Sequence, residues 1–238
     1  MKRSTCLKIS IMISCLVLMA LLCFSGSAQA ATLSGSQTVL TKSDIALIQS
    51  LLPQKTIGTD IHLTSKQIQT GTERTIDRGN GAKVQAALKR TDLSPQVRNI
   101  IRSIPTQIKW SVKAESASPQ DAANPNSCYY GGTAHGYVQG TNIYGVVLWS
   151  YDVQQPFYVD GANVCSLGAR NPTFYANGYL LWTYSGETYS SGSAPAVGEI
   201  TQINKAFFNG PAHIQGAVAR ITLFMFSGAY WDVSVGIE

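Results

Sequence analysis

Ala217-Val218-Ala219-Arg220-Ile221-Thr222-Leu223-Phe224-Met225-Phe226 alternates without a break. Ala217, Ala219, Ile221, Leu223 and Met225 share one face of an extended chain, and Val218, Arg220, Thr222, Phe224 and Phe226 share the other. A period of two held over ten residues predicts one long strand. Trp231, Val233 and Val235 predict the last strand after it, and Asn209-Gly210-Pro211 predicts a turn before it. Further back, Ile143, Val147, Trp149 and Tyr151 alternate with Tyr144, Val146, Leu148 and Ser150. Asp160-Gly161 lies between Phe157-Tyr158-Val159 and Val164-Cys165, which predicts a type I′ hairpin. Asn177-Gly178 carries the same signal between Phe174-Tyr175 and Tyr179-Leu180-Leu181-Trp182. Several strands with short turns predict a mainly β fold, an antiparallel β-sandwich over residues 128–238.

The aromatic residues mark where that half begins. Apart from Phe24 and Trp110, every Phe, Trp and Tyr lies between Cys128 and the C-terminus. Charge divides at the same place. Residues 31–110 hold eleven Lys/Arg against five Asp/Glu, whereas residues 111–238 hold four against eight. Between the halves, residues 111–127 contain Pro119 and Pro125 among Ser, Ala and Asn, and read as a linker.

Residues 31–110 read as a basic, partly helical N-terminal region. Ser43 is placed to cap a helix from Asp44 towards Leu52, with Ile45, Ile48 and Leu52 on one face and Pro53 as the stop. Ser94 is an N-cap, Pro95 takes the first helical position, and Val97, Ile100, Ile101 and Ile104 make an apolar stripe that ends at Pro105. Val84 to Leu88 reads as another short helix. The isoleucine stripe can cover the β half or a partner, or close a small helical core of its own.

The first thirty residues read as a secretion signal. Lys2, Arg3 and Lys8 precede the apolar run Ile9 to Phe24, and Ala28-Gln29-Ala30 supplies the cleavage pattern. Leu22 before Cys23 argues against lipidation. The run is also shorter than the ~20 apolar residues of a membrane anchor. Cleavage places the protein outside the cell, leaves no transmembrane segment, and removes Cys6, Cys15 and Cys23. The remaining Cys128 and Cys165 are then expected to form a disulfide, in preference to a thiol nucleophile served by His135 or His213.

Standard catalytic and cofactor motifs are absent, so no cofactor or metal is implied. Three histidines, His62, His135 and His213, have no ligand spacing between them. The enzyme alternative is a glycosidase-like hydrolase using Glu187 or Glu199 with Asp152 or His135. Ten of the eleven tyrosines lie between Tyr129 and Tyr189. A tyrosine joins an apolar ring to a polar tip, which suits contact with sugars as well as sheet packing. Tyr129, Tyr130, Tyr137, Tyr184 and Tyr189 are the candidate ligand contacts. Basic residues are not interleaved with aromatics, which points away from nucleic acid. After export the basic segment is a solvated helix surface or meets an anionic cell-wall polymer or lipid headgroups, and a polysaccharide or cell-wall polymer is the expected partner.

Gly145-Val146-Val147-Leu148-Trp149-Ser150-Tyr151, Asp160-Gly161 and Leu181-Trp182-Thr183-Tyr184-Ser185-Gly186 resemble a pattern in uncharacterised secreted β-sandwich proteins of filamentous Gram-positive bacteria. The likeness covers residues 128–238 and departs in having few Trp and Cys. It implies export and a β-sandwich, and it brings no active site. The expected role is that of a secreted, non-catalytic binding or surface-interaction protein.

Overall fold

Strand pairing divides the chain between two antiparallel sheets in a computed structural model, which describes residues 40–53, 61–63, 72–112 and 128–238. The signal segment and residues 113–127 of the expected linker lie outside the described residues. The five-stranded sheet contains β1 (Ile61–Leu63), β8 (Thr183–Ser191), β10 (Glu199–Asn209), β11 (Gly216–Phe226) and β12 (Tyr230–Ile237), in the order β1-β12-β11-β10-β8. The seven-stranded sheet contains β2 (Thr72–Asp77), β3 (Gln107–Val112), β4 (Tyr129–Thr141), β5 (Val147–Val159), β6 (Asn163–Leu167), β7 (Asn171–Ala176) and β9 (Ala196–Val197). Its order is β2-β3-β4-β5-β6-β9, with β7 also paired to β5.

β11 covers the alternating stretch, and its faces follow the alternation. Ala217, Ala219, Ile221, Leu223 and Met225 are buried, as are Trp231, Val233 and Val235 of β12. They belong to one core with Val138, Trp149, Tyr151, Val153 and Phe157 from the other sheet. The sheets approach closely where β4 carries glycine. A Cβ on Gly136 would meet Ile221 Cγ2 at 2.6 Å and Val233 Cγ2 at 3.1 Å.

Strands from before residue 111 also enter this core. Trp110 of β3 is buried opposite Val138 of β4, and Ser111 and Val112, read as the start of a linker, are the last residues of β3. The composition change near residue 110 therefore runs through a sheet, because hydrogen-bond pairing is indifferent to aromatic content.

Both predicted tight turns differ in detail. The Asp160-Gly161 hairpin joins β5 to β6, but its tip is Gly161-Ala162. Asp160 flanks the tip and its carboxylate accepts the Ala162 and Asn163 N–H groups, at 2.9 and 2.6 Å. Gly161 alone takes the positive φ there, 90°. Asn177-Gly178 makes no hairpin. β7 pairs with β5 and β8 pairs with β10, so the chain crosses between sheets at this point. Residues Gly178–Leu180 form a 3-10 turn capped by Asn177, and Leu181 takes φ 61°.

Among the described residues, three helices precede β3 and form a second, smaller core. They are α1 (Lys42–Leu51), α2 (Gly81–Leu88) and α3 (Pro95–Arg102). Thr41, rather than Ser43, caps α1, in a capping box with Asp44. Ser94 caps α3 by accepting the Val97 N–H at 3.2 Å. Ile48, Leu51, Val84, Val97, Ile100, Ile101 and Ile104 are buried together, joined by Ile143 and Ile214 from the β part. The isoleucine stripe thus closes a helical core and touches the sheets as well. The end of α3 is tied down by three β-side donors. Asn142 Nδ2 donates to Arg102 O at 2.9 Å, while Trp182 Nε1 and Gln215 Nε2 donate to Ser103 O at 3.0 and 3.2 Å. These satisfy carbonyls that a helix end leaves without intrahelical partners. All these elements belong to one compact unit, Leu40–Glu238.

Candidate functional site

A tight turn at Asn142–Gly145 shapes an open groove. The Asn142 carboxamide oxygen accepts the N–H groups of Tyr144 and Val146, both at 3.0 Å, and Gly145 takes φ 75°. The strand expected to include Ile143 and Tyr144 therefore begins only at Val147. The turn sends Ile143 into the helical core and leaves Tyr144 63% exposed. Across the groove, Asn177 holds the 3-10 turn that presents Tyr179, which is 98% exposed. Arg102 at the end of α3 lines the same space with Val146 and Leu180, and the space measures about 930 Å³ open to solvent. Two exposed phenol rings and a guanidinium thus border one concave surface. Such an arrangement can stack on the apolar faces of a sugar and hydrogen-bond its hydroxyls.

The tyrosines expected to touch a ligand lie elsewhere and in two groups. Tyr129, Tyr130 and Tyr137 are half-buried on β4 of the seven-stranded sheet. Tyr130 packs edge-on against Tyr158 with centroids 5.9 Å apart, and the Tyr137 hydroxyl donates to Gln139. Tyr184 and Tyr189 are on β8 of the other sheet. Tyr184 stacks on Phe174 at 3.7 Å, and Tyr189, 60% exposed, lies under the Arg170 guanidinium at 4.3 Å. Tyr144 and Tyr179 were not singled out beforehand. Their signal was the turn chemistry beside them, Asn142 with Gly145 and Asn177 with Gly178.

Among the hydrolase candidates the structure brings one pair together. His135 Nε2 lies 2.8 Å from Asp152 Oδ1, on neighbouring strands β4 and β5. The contact falls outside hydrogen-bond geometry and is a close approach of the two side chains. Glu187 does not join it. Its carboxylate receives both guanidinium nitrogens of Arg170, each at 2.6 Å, and the Tyr151 hydroxyl. Burial alone would raise the Glu187 carboxyl, but these two partners outweigh it and hold it below the usual carboxylate range. Burial and the same carboxylate push the Tyr151 phenol well up. A carboxylate so saturated is poorly placed to act as an acid or base. Glu199, at the start of β10, accepts the Thr201 hydroxyl at 2.7 Å.

Arg170 reaches this position because β6 and β7 run along the same edge of β5 and break at Gly168–Arg170. Behind the ion pair runs a row of buried amides. Arg170 donates to Asn204 Oδ1 at 3.1 Å, and Asn204 donates to Ile221 O at 3.2 Å. Deeper in, Gln202 donates to Gln155 Oε1 at 3.1 Å, and Gln155 donates to Gly168 O at 2.9 Å. The row is a satisfied polar seam within the apolar core, which specifies how the two sheets register.

Cys128 and Cys165 form the expected disulfide, with Cα atoms 6.2 Å apart, tying the start of β4 to β6 across β5. The three histidines stay apart: His62 is on β1, His135 on β4 and His213 in the 3-10 turn Pro211–His213. Among the described residues, no three of His, Cys, Asp and Glu gather as metal ligands. No described helix is long and apolar enough to cross a membrane. No protein family, curated protein or solved structure matches this chain.

Proposed function

We propose that this chain is an exported, non-catalytic binding protein, a β-sandwich with a short helical N-terminal region, whose ligand is a saccharide or cell-envelope polymer. The observation that carries the reading is the groove bordered by Tyr144, Tyr179 and Arg102, where two tyrosines are exposed far beyond what packing needs. Fixed turns hold the backbone at both tyrosines, so little backbone ordering opposes ligand binding. The signal-like residues 1–30 support export. Glycan arrays and polysaccharide pull-downs test the proposal. Binding by the wild type that is lost in Tyr144→Ala/Tyr179→Ala supports it, and blank arrays and pull-downs sink it.

The hydrolase alternative rests on the His135–Asp152 contact alone, since Glu187 and Glu199 lie outside it. Release of reducing ends from a polysaccharide panel, abolished in His135→Ala, would favour that alternative over a binding role.

A further inference from the structure

The walls of the Tyr144–Tyr179 groove carry a single charged side chain, Arg102. It is the last residue of α3, it is exposed, and it forms no ion pair with a described residue. The helix adds to the imbalance. Arg98 and Arg102 lie one turn apart on α3, which holds no acid, and like charges at that spacing repel. Arg90 is neutralised by Asp92 at 2.6 Å, whereas Arg98 donates to the Arg90 carbonyl at 3.0 Å. Among the described acids, Glu73, Glu187 and Glu238 pair with other cations, and none lines the groove. The dipole at the end of α3 favours a cation, but it supplies only about half a charge. Asn142, Trp182 and Gln215 already donate to the last carbonyls there.

The amides of the groove are committed to its own walls. Asn142 Oδ1 accepts the Tyr144 and Val146 N–H groups, and its Nδ2 donates to Arg102 O. Asn177 Nδ2 donates to Val147 O at 3.0 Å, and its Oδ1 accepts the Leu180 N–H at 3.3 Å. Neither carboxamide is left to read sugar hydroxyls. The polar side-chain groups that remain on the groove are the Arg102 guanidinium and the phenols of Tyr144 and Tyr179.

Two ring faces and one cation match a ligand that has apolar ring faces and a negative group. We propose that the groove binds an acidic saccharide, a chain of hexuronic acid units, with one carboxylate held by Arg102 and sugar rings against Tyr144 and Tyr179. The two coplanar oxygens of a carboxylate suit the guanidinium fork. A neutral glucan would leave Arg102 unused and find no free amide for its hydroxyls. A glycerol-phosphate polymer would answer the charge but offer the tyrosines no ring face. The inference rests on the saccharide reading of this groove and narrows it to one class.

The experiment is calorimetric titration of the purified full chain with oligogalacturonate, oligomannuronate, their methyl esters and inorganic polyphosphate. The esters keep the rings and mask the charge. At least one acid is expected to bind about tenfold more tightly than its ester, the scale of one charge-assisted contact. Raising NaCl from about 0.05 to 0.5 M should narrow that gap. Arg102→Ala should close it and Arg102→Lys should keep part of it, while Tyr144→Ala/Tyr179→Ala should weaken acid and ester alike. Equal binding of acid and ester overturns the acidic class and leaves the saccharide reading standing. Polyphosphate binding as tightly as the acids also overturns it, because charge alone would then decide. Absence of saturable binding by both acids overturns it too. In that case the saccharide reading survives where a neutral polysaccharide binds through both tyrosines, and falls where glycan arrays are blank as well. If Arg102→Ala fails to fold, the wild-type titrations with acid, ester and polyphosphate still decide.

Discussion

Arg170 grips Glu187 through both guanidinium nitrogens, at 2.6 Å each, and carries the ion pair from the break between β6 and β7 to the edge strand β8 of the opposite sheet. The side chains are only 15% and 14% exposed, and Asn204 and Tyr151 complete their hydrogen bonding. The pair is thus a clasp between the sheets. Removing one partner strands the other, so Arg170→Met is expected to cost about 2 kcal/mol, between the values for exposed and fully buried pairs. Arg170→Met/Glu187→Leu should cost less than the sum of the two single changes. Urea unfolding of the four proteins gives the coupling, and strictly additive losses would refute the clasp.

The same carboxylate gives the fold an acid limb. Glu187 titrates below its ordinary range in the folded chain and returns to about 4.3 on unfolding. Its contribution is complete above the unfolded value and is lost as pH falls through the folded one. Between pH 6 and pH 3 the Tm of wild type should therefore fall more steeply than that of Glu187→Gln. Parallel curves would show that Glu187 is not the group responsible.

The disulfide joins residues 37 apart in sequence. The chain-entropy argument gives about 4 kcal/mol for closing such a loop. Cys128→Ser/Cys165→Ser is expected to lose stability on that scale, read as a lower urea midpoint. Reductant should destabilise wild type but not the double variant.

Much of this fold is legible because its signals are local. The alternation of Ala217 to Met225 becomes β11, and Ser94-Pro95 starts α3 where cap chemistry predicts. What escaped depends on residues distant in sequence. Asn177-Gly178 has hairpin composition, yet whether the flanking strands pair with each other is decided by β5 and β10. Gln202 and Asn204 occupy inward positions that alternation reserves for apolar residues. Only Gln155 and Arg170 from across the core, with the Ile221 carbonyl on the neighbouring strand, make them tolerable there. The groove escaped for the opposite reason. Tyr144 and Tyr179 match the other tyrosines in composition, and only the two turns reveal that they stay outside.

Gly136 and Gly140 of β4 test whether space left by glycine sets the core, Gly136 against the facing sheet and Gly140 against Trp149 of its own sheet. Neither has a positive φ, so alanine meets no backbone penalty at either position. Space is another matter. A Cβ at Gly136 would lie 2.6 Å from Ile221 Cγ2, and one at Gly140 would lie 2.6 Å from the Trp149 ring. Trp149 is fully buried and stacks on Phe208 with centroids 5.3 Å apart, so it has little room to retreat. Each alanine is expected to cost about 1–3 kcal/mol through overpacking. Gly140→Ala should also perturb the near-UV circular dichroism, because the displaced ring is a tryptophan. Gly192→Ala is the control, since its Cβ would meet only Ile200 Cγ2 at an ordinary 3.5 Å. If all three variants unfold at the same urea concentration, the glycines of β4 are not what lets the core pack.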